Sequence, residues 1–237
     1  IALLSTPENI FYLTGLDHWG YFAPHLLVVP LEGDMTLITR AMERVTVENQ
    51  VRNALFEGHQ DNETAAELAA RHLSARRMAK PRVQAAIAET EEVIEDLPGA
   101  HYRIGVETWS SGHSYGFGAA LRTGIEAEEW VDITGMVDRL RLVKSPEEQA
   151  IMRKAAAASD AATRAAVAAI RDGAREAEVA AACLSAMTMA GGTPPGFGPF
   201  IRPDQRLGEE HTTWGDSALE NGSRVFLEIA GCVARYN

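Results

Sequence analysis

The sequence predicts an α/β layer domain followed by a second domain that begins with two Ala-rich helices. Short apolar or β-branched segments alternate with helical patterns over the first 130 residues, and most of the excess negative charge lies in the same part. The chain has 237 residues, of which 46% are hydrophobic and 23% charged, which indicates a hydrophobic core and excludes a disordered chain. At about 100 to 200 residues per domain, this length is compatible with two domains.

Charge divides the chain after Trp130. The first part holds 10 basic and 19 acidic residues, and the second part holds 12 basic and 14 acidic residues. We therefore expect two separately built domains, 1–130 and 131–237. The net charge of -11 would repel a phosphate backbone and an anionic bilayer alike, so we expect no nucleic acid and no membrane as partners.

Cysteine usage and the two ends of the chain indicate its setting. Cys183 and Cys232 are too few for a disulfide framework and lack the spacing of a structural zinc site, which indicates a reducing, cytoplasmic location. No apolar run approaches the roughly 20 residues that span a bilayer. The sequence begins on a predicted strand without Met and ends on another, so we expect that residues are missing at both ends.

Short apolar or β-branched segments predict the strands of the first domain, at 1–5, 26–30, 35–39 and 103–107. The second and third are separated by Leu31-Glu32-Gly33-Asp34, a connector typical of a hairpin. A short helix is predicted from Pro7, with Gly15 as its left-handed cap.

Two longer helices are predicted between these strands. The first covers 62–77, where apolar residues recur at helical spacing after a cap at Asp61 or Asn62. The second covers 83–97 and is bounded by prolines. Strands that alternate with helices in this way are typical of an α/β layer domain.

The second domain has the clearest helix start in the sequence. Ser145 is followed by Pro146 at the first helical position and by Glu148 three residues on, which is a capping box. This helix is predicted to reach about Arg171, and a second Ala-rich helix follows over 175–190. A Gly- and Pro-rich segment over 191–208 then forms either a surface connector or a wall of a ligand site.

A carboxylate inside an apolar strand is the first candidate functional residue. The strand predicted over 225–230 places Glu228 on the face opposite Leu227 and Ile229. Either Glu228 lies on a solvated edge of the sheet, or it points into a polar site where a partner offsets the cost of desolvation. The strand pattern does not decide between these two interpretations.

His211 is the second candidate, in a polar segment just after the Gly- and Pro-rich one. An imidazole can accept and donate protons near neutral pH, which suits it to acid and base steps. Glu209 or Glu210 would raise its proton affinity if either side chain faces it.

The remaining histidines and motifs give weaker indications. His72 and His101 are predicted as surface residues, whereas His18 and His25 flank an aromatic segment and suggest an interface or pocket. The chain contains no Walker A run and no His-Glu-x-x-His motif. The glycine spacing within 112–118 lacks the third Gly and the acidic residue of a dinucleotide site.

Several segments taken together carry a resemblance to a known family over nearly the whole chain. They are Asn9-Ile10-Phe11-Tyr12-Leu13-Thr14-Gly15, Arg141-Leu142-Val143-Lys144-Ser145-Pro146-Glu147-Glu148, Met152-Arg153-Lys154-Ala155-Ala156, and His211 followed by Gly222 and Glu228. Their order, and the 17 residues from His211 to Glu228, are jointly specific. The chain therefore resembles the creatinase and prolidase (Xaa-Pro peptidase, M24) superfamily.

This resemblance implies a fold, an assembly and a role for His211. It implies an α/β N-terminal domain and an α+β "pita-bread" catalytic domain, here incomplete at its C-terminus, in a cytoplasmic homodimer that acts on a small-molecule substrate. In creatinase-like members the neighbouring subunit's N-terminal domain completes the active site, and segment 18–25 would be the candidate for that contact. His211 matches the position of the proposed proton shuttle.

Glu228 is where the sequence departs from the metal-dependent members. Those members place Asp at this position and a second Asp 11 residues on, which would be position 239. The longer Glu228 side chain would disturb a two-ion centre, which needs ions about 3.5 to 4 Å apart. Glu228-Ile229-Ala230-Gly231-Cys232 and Thr213-Trp214 look more like the ectoine hydrolase branch, in which, as in creatinase, C–N hydrolysis runs without metal.

We therefore expect a metal-free hydrolase of a C–N bond in a small amidine, lactam or amide. His211 is the expected catalytic residue, Glu228 the expected substrate-binding carboxylate, and no metal ligand is assigned. Two alternatives stay open. One is a metal-dependent Xaa-Pro dipeptidase or aminopeptidase with two divalent ions such as Mn or Zn, and the other is a non-catalytic binding protein on the same fold.

Overall fold

The structure, a computed structural model, describes residues 1–18, 23–79 and 102–237. The helix predicted over 83–97, His101 and the aromatic segment 19–22 lie outside these residues. The chain divides into two compact units, Ile1–Leu142 and Val143–Asn237, which are described separately below.

The first unit is built on a mixed sheet of six strands within the described residues, in the order β4-β3-β2-β1-β5-β6. The strands are β1 Ala2–Leu4, β2 Leu26–Val29, β3 Met35–Arg40, β4 Ala54–His59, β5 Tyr102–Val106 and β6 Ala127–Asp132. β2 pairs antiparallel with both β1 and β3, which confirms the predicted hairpin. The other neighbouring pairs are parallel.

Helices of the first unit cover both faces of this sheet. They are α1 Pro7–Thr14, α2 Arg44–Gln50, α3 Ala65–Ala79, α4 Tyr115–Gly124 and α5 Met136–Arg141. Successive strand residues point to opposite faces, so Leu3 packs in the core with α3 and α4, whereas Leu4 packs in the core with α1, α2 and α5. The predicted α/β layer architecture of the first domain is confirmed.

The ends of two helices show how local sequence sets their bounds. α1 ends at Gly15, whose φ of 79° lies in the left-handed region, as predicted. α3 begins after Thr64 rather than after Asp61 or Asn62, because the Thr64 hydroxyl accepts from the Glu67 amide while the Glu67 carboxylate accepts from the Thr64 amide. The predicted cap was therefore wrong by two or three residues.

The division between the units falls after Leu142, whereas the charge pattern predicts a boundary after Trp130. Trp130 lies within β6, which pairs with β5 and so belongs to the first sheet. Val137 of α5 is buried in the same core as the sheet. Sheet pairing and packing, rather than charge, thus determine where the first unit ends in the structure.

The second unit packs two long helices against a two-stranded antiparallel sheet. α6 Pro146–Ala169 begins with the predicted capping box, in which Ser145 and Glu148 exchange hydrogen bonds of 3.2 and 2.8 Å. α7 Glu176–Met189 follows, and β7 Phe200–Pro203 pairs with β8 Val225–Glu228. Alanines of α6 at three- and four-residue spacing lie in the core with α7 and β7, which allows close helix packing.

No helix in the part of the chain that the structure describes combines the length and the apolar character needed to cross a membrane.

Candidate active site

One face of the β7–β8 sheet carries polar and aromatic side chains. In the antiparallel register Phe200 pairs with Glu228, and Arg202 pairs with Phe226. Ile201, Val225 and Leu227 alternate with them and pack on the helical core. We call the four residues Phe200, Arg202, Phe226 and Glu228 the site face.

Glu228 is exposed at the end of β8, on the side of the strand away from the core. The strand alternation predicted from the sequence is therefore correct, although β8 ends at Glu228 instead of continuing to Ala230. Because Glu228 is exposed, its charge carries no large cost of desolvation here. It stands beside Phe200 and is available to a ligand.

His211 lies against the site face through Phe200. The two rings meet edge to face, with centroids 6.5 Å apart and an interplanar angle of 87°. The imidazole is exposed, and the backbone of His211 has a φ of 53°, in the left-handed region that few residues other than glycine adopt. Phe200 thus connects the two sequence-predicted candidates, since it packs on His211 and pairs across the sheet with Glu228.

An ionic network holds the segment that carries His211. Glu176, at the start of α7, is fully buried and binds both the Arg206 guanidinium and the Gly215 amide. Arg206 Nε also donates to Glu209 Oε2 at 2.9 Å. The network therefore anchors the chain on both sides of His211, at Arg206 and at Gly215.

The Glu209 carboxylate binds Arg206 rather than His211. Its hydrogen bond from Arg206 holds the pKa of Glu209 below its usual value, and the same bond raises the pKa of Arg206. Thr212 also lies within 3.3 Å of this carboxylate. The described contacts of Glu209 thus support the loop, and none of them is with His211.

The Gly- and Pro-rich segment forms part of the same surface. The ring centroids of Phe197 and Phe200 are 5.3 Å apart. A Cβ on Gly198 would lie 3.2 Å from the Trp214 ring, so the glycine allows the two segments to approach closely. These contacts favour the interpretation of this segment as a wall of the site over that of a plain connector.

Arg202 is a residue of the site face that the sequence analysis missed. It is 4% exposed, and its Cζ lies 4.5 Å from the Phe226 ring centroid and 5.6 Å from that of Phe200. Its Nε and Nη1 atoms are buried without a hydrogen-bond partner among the residues that the structure describes. The alternation of β7 would have placed Arg202 on the face of Phe200, but its burial depends on residues distant in sequence.

Two histidines of the first unit, His18 and His25, lie near Glu43. His18 Nε2 lies 2.6 Å from Glu43 Oε2, and the His18 and His25 ring centroids are 4.8 Å apart. Burial lowers the pKa of His25. His72 was wrongly predicted as a surface residue, because its side chain is 11% exposed and pairs with Glu57 at 2.7 Å.

Comparison with known proteins matches the chain to two consecutive family descriptions. Residues 1–143 match the creatinase/prolidase N-terminal domain, and residues 150–237 match metallopeptidase family M24. A Xaa-Pro dipeptidase of Pyrococcus horikoshii is 30% identical over 134 residues, which cover 56% of this chain and 37% of the relative. The ectoine hydrolase of Halomonas elongata is 22% identical over 250 residues, which cover 100% of this chain and 59% of the relative.

A solved structure extends the likeness to the whole fold. The prolidase from Pyrococcus furiosus superposes with a TM-score of 0.71 at 22% identity, covering 100% of this chain and 58% of that one. The chain thus spans little more than half the length of the whole-chain relatives. The predicted order of an α/β N-terminal domain and an α+β pita-bread domain is confirmed, and the chain belongs to the creatinase/prolidase superfamily.

Proposed function

We propose that the full-length protein hydrolyses a C–N bond in a small amidine, lactam or amide substrate. His211 acts as the catalytic proton shuttle, and Glu228 binds and orients the substrate. The observation that carries this proposal is the packing of the His211 ring on Phe200, the cross-strand partner of Glu228. It brings a proton carrier and a carboxylate to the same surface.

The chemistry requires two proton transfers that one imidazole can perform. Neutral His211 accepts a proton from water as the water oxygen bonds to the substrate carbon. The imidazolium then donates that proton to the nitrogen as the C–N bond breaks, and the histidine returns to its neutral form. An amine nitrogen is a poor leaving group without a proton, so this second transfer is the demanding step.

The position of His211 favours this role. The segment that carries it is fixed at Arg206 and Gly215, and both are bound to the buried Glu176. A fixed imidazole loses less entropy when it meets the reacting atoms, which increases the rate. The likeness to ectoine hydrolase adds support, since that relative covers the whole of this chain.

The charge on the site face disfavours a two-metal centre. Within residues 1–18, 23–79 and 102–237, no group of three or more His, Cys, Asp and Glu side chains could hold a metal ion. On the site face, Arg202 is a diagonal neighbour of Glu228 across the β7–β8 pair, and its positive charge would repel a divalent cation. The charge of Arg202 supports a reaction carried out by side chains.

A metal-dependent Xaa-Pro dipeptidase is the second candidate. It is favoured by the match of residues 150–237 to a metallopeptidase family and by the Pyrococcus horikoshii relative. Metal analysis of the active full-length protein separates the two candidates. About two divalent ions per subunit, with activity lost on chelation, would contradict the metal-free reaction.

We also propose a cytoplasmic homodimer in which the first unit of one subunit contacts the active site of the other. Cys183 and Cys232 are both buried free thiols, which suits a reducing compartment. Light scattering of the full-length protein would test the dimer, and a monomer that retains full activity would contradict the shared site.

The test of the proposed function is turnover of ectoine, creatine and Gly-Pro by the full-length protein and by His211→Ala. We expect turnover of at least one substrate, with a kcat that falls about 10²- to 10⁴-fold in the variant while the fold is kept. His72→Gln is the matched control, because it removes an imidazole from the first unit. Inactivity of the wild type on all three, or an unchanged kcat in His211→Ala, would contradict the proposal.

A further inference from the structure

Four titratable side chains meet at one edge of the sheet of the first unit. They are His18, His25, His59 and Glu43, and we call them the histidine cluster. His25 directly precedes β2, Glu43 ends the 3₁₀ turn that follows β3, and His59 ends β4. Because β3 and β4 run parallel and β2 runs antiparallel to β3, these three residues come to the same edge of the sheet.

Hydrogen bonds set where a proton can bind in this cluster. His18 Nε2 donates to Glu43 Oε2 over 2.6 Å, so the first imidazolium of the cluster forms beside a carboxylate. His25 Nδ1 and His59 Nδ1 each lie 3.1 Å from a backbone carbonyl oxygen. A carbonyl oxygen only accepts, so in both neutral rings Nδ1 carries the hydrogen and Nε2 carries the lone pair. A further proton therefore binds at Nε2 of a ring that is only 9% exposed.

The imidazoles of the cluster are close enough to repel one another when they are charged. The His18 and His25 ring centroids are 4.8 Å apart, so a second proton, on His25, stands beside the first. Like charges repel more strongly inside the protein than in water. Burial lowers the pKa of His25, and the charges of His18 and His59 lower it further. The Ala23 carbonyl and Glu43 raise this pKa, but their effect is outweighed.

Other charged side chains near this edge are bound elsewhere. Arg40 at the end of β3 and Arg44 at the start of α2 bind carboxylates outside the cluster, at 2.9 and 3.2 Å. Glu57 of β4 binds His72 of α3 at 2.7 Å. Among the described residues, the charges that shift the pKa of His25 are those of the other three members of the cluster. The cluster thus responds to pH as one group.

We propose that the histidine cluster is a proton-operated switch, which holds the 3₁₀ turn Ala41–Glu43 against β4 while it carries at most one extra proton and releases the turn when it takes up a second. The turn and β4 are in direct contact, since a Cβ on Gly58 would lie 2.6 Å from Ala41 Cα. Movement of the turn carries Glu43 and exposes the rings to water, where a histidine binds a proton with its ordinary pKa.

The direction of the switch follows from proton linkage. The open form binds more protons than the closed form, because the pKa of His25 is lowered in the closed form. The closed form is therefore favoured above pH 6.5, and it loses its advantage as the pH falls through the lowered pKa of His25. This inference concerns the first unit alone and is independent of the reaction proposed above, so the failure of either leaves the other standing.

Hydrogen exchange of the full-length protein at pH 7.5 and 5.5 tests the switch. After correction for the intrinsic exchange rate, the opening equilibrium of the β3 and β4 amides should rise about 3- to 5-fold at the lower pH. His59→Gln removes one imidazole and should reduce this rise to less than about 2-fold. His113→Gln is the matched control, because burial also lowers the pKa of His113, which lies outside the cluster. An unchanged opening equilibrium in the wild type, or the same rise in His59→Gln as in His113→Gln, would overturn the proposal.

A second measurement decides the outcome if His59→Gln does not fold. The wild-type protein, with carbon-13 in its histidine rings, is titrated by NMR from pH 8 to 5. The His25 ring should titrate below pH 6.5 and with the same midpoint as the opening of β3 and β4. A His25 ring that titrates at its ordinary pKa, or that takes up its proton while the strands stay closed, would contradict the switch.

Discussion

Glu107 in the first unit and Arg202 in the second are both charged side chains that are almost completely buried, but their surroundings differ. Glu107 accepts hydrogen bonds from the amides of Ser5 and Thr6, each at 2.8 Å, and from the Asn9 side chain at 2.6 Å. Arg202 has two buried nitrogen atoms without a partner in the described part of the chain. A satisfied buried charge is typical of a structural role, whereas an unsatisfied one requires an explanation.

Glu107 holds the segment around Asn9 in place. Glu107 follows β5 and binds the chain just before α1, while Asn9 also accepts from Arg141 Nη1 at 2.8 Å. Residues far apart in sequence are thus joined in one buried network of the first unit. In the second unit, the network of Arg206 and Glu176 instead supports the exposed His211.

The largest expected effect on stability distinguishes these two buried charges. Glu107→Gln should lower the free energy of unfolding by about 3 kcal/mol, because the hydrogen bonds lose their charge and the new NH2 group faces the Asn9 side-chain donor where an acceptor stood. Arg202→Met should change it by less than about 1 kcal/mol, since an unpaired buried charge is replaced by an apolar side chain. Urea unfolding measures both values, and the exposed Glu32→Gln is the control for the first. A loss of about 3 kcal/mol in Arg202→Met would show that Arg202 is as structural as Glu107.

A smaller effect is expected when the support of His211 is disturbed. A Cβ on Gly215 would collide with the Arg206 guanidinium and come within 3.2 Å of Glu176 Oε2. Gly215→Ala should therefore release the His211 segment and lower the kcat about 10- to 100-fold, with little change in KM. Gly208→Ala is the matched control, because a Cβ there meets nothing within 4 Å. Equal kcat values for the two variants would show that the network does not position His211.

The capping boxes of the two units should contribute similarly to stability. Thr64→Ala and Ser145→Ala each remove a side-chain hydroxyl that accepts from a helical amide, which should cost about 1 kcal/mol of unfolding free energy. Glu148 also accepts from the Tyr236 hydroxyl at 2.8 Å. If Ser145→Ala left the stability unchanged, this second contact alone would be sufficient to hold the start of α6.

The smallest expected effect is the loss of stability of the first unit at low pH. Burial lowers the pKa of His25 from 6.5, and the charges of His18 and His59 oppose protonation further, whereas the Ala23 carbonyl and Glu43 favour it. His25 therefore binds a proton more readily in the unfolded chain than in the folded one. Its contribution to the free energy of unfolding is present above pH 6.5 and is lost as the pH falls through the lowered pKa of His25 in the folded protein. Hydrogen exchange in β2 at pH 7.5 and 5.5 should show this loss, and His25→Asn should reduce it. An identical pH response in the variant would assign the loss to other groups.

Features with a local signal could be predicted from the sequence. Ser145, Pro146 and Glu148 determine the start of α6 by themselves, and strand alternation alone places Glu228 opposite Leu227. The start of α3 was missed although Thr64 and Glu67 carry the same pattern, because polar residues before Thr64 offered competing caps.

Features that depend on distant residues could not be predicted in this way. The burial of Arg202 requires the register that pairs β7 with β8, and the partner of Glu209 depends on the fold of its loop. The boundary after Leu142 likewise depends on the pairing of β6 with β5. The roles of His211 and Glu228 remain proposals that rest on these non-local contacts.

Chemical rescue is the most direct test of the central claim that the His211 imidazole carries the proton. His211→Gly should lose turnover, and added imidazole should restore kcat by at least about 10-fold, in proportion to the neutral imidazole present. Glu228→Gln should gain nothing from imidazole, because its defect lies in substrate binding. An His211→Gly variant that keeps the wild-type kcat, or that imidazole cannot rescue at any pH, would contradict the account.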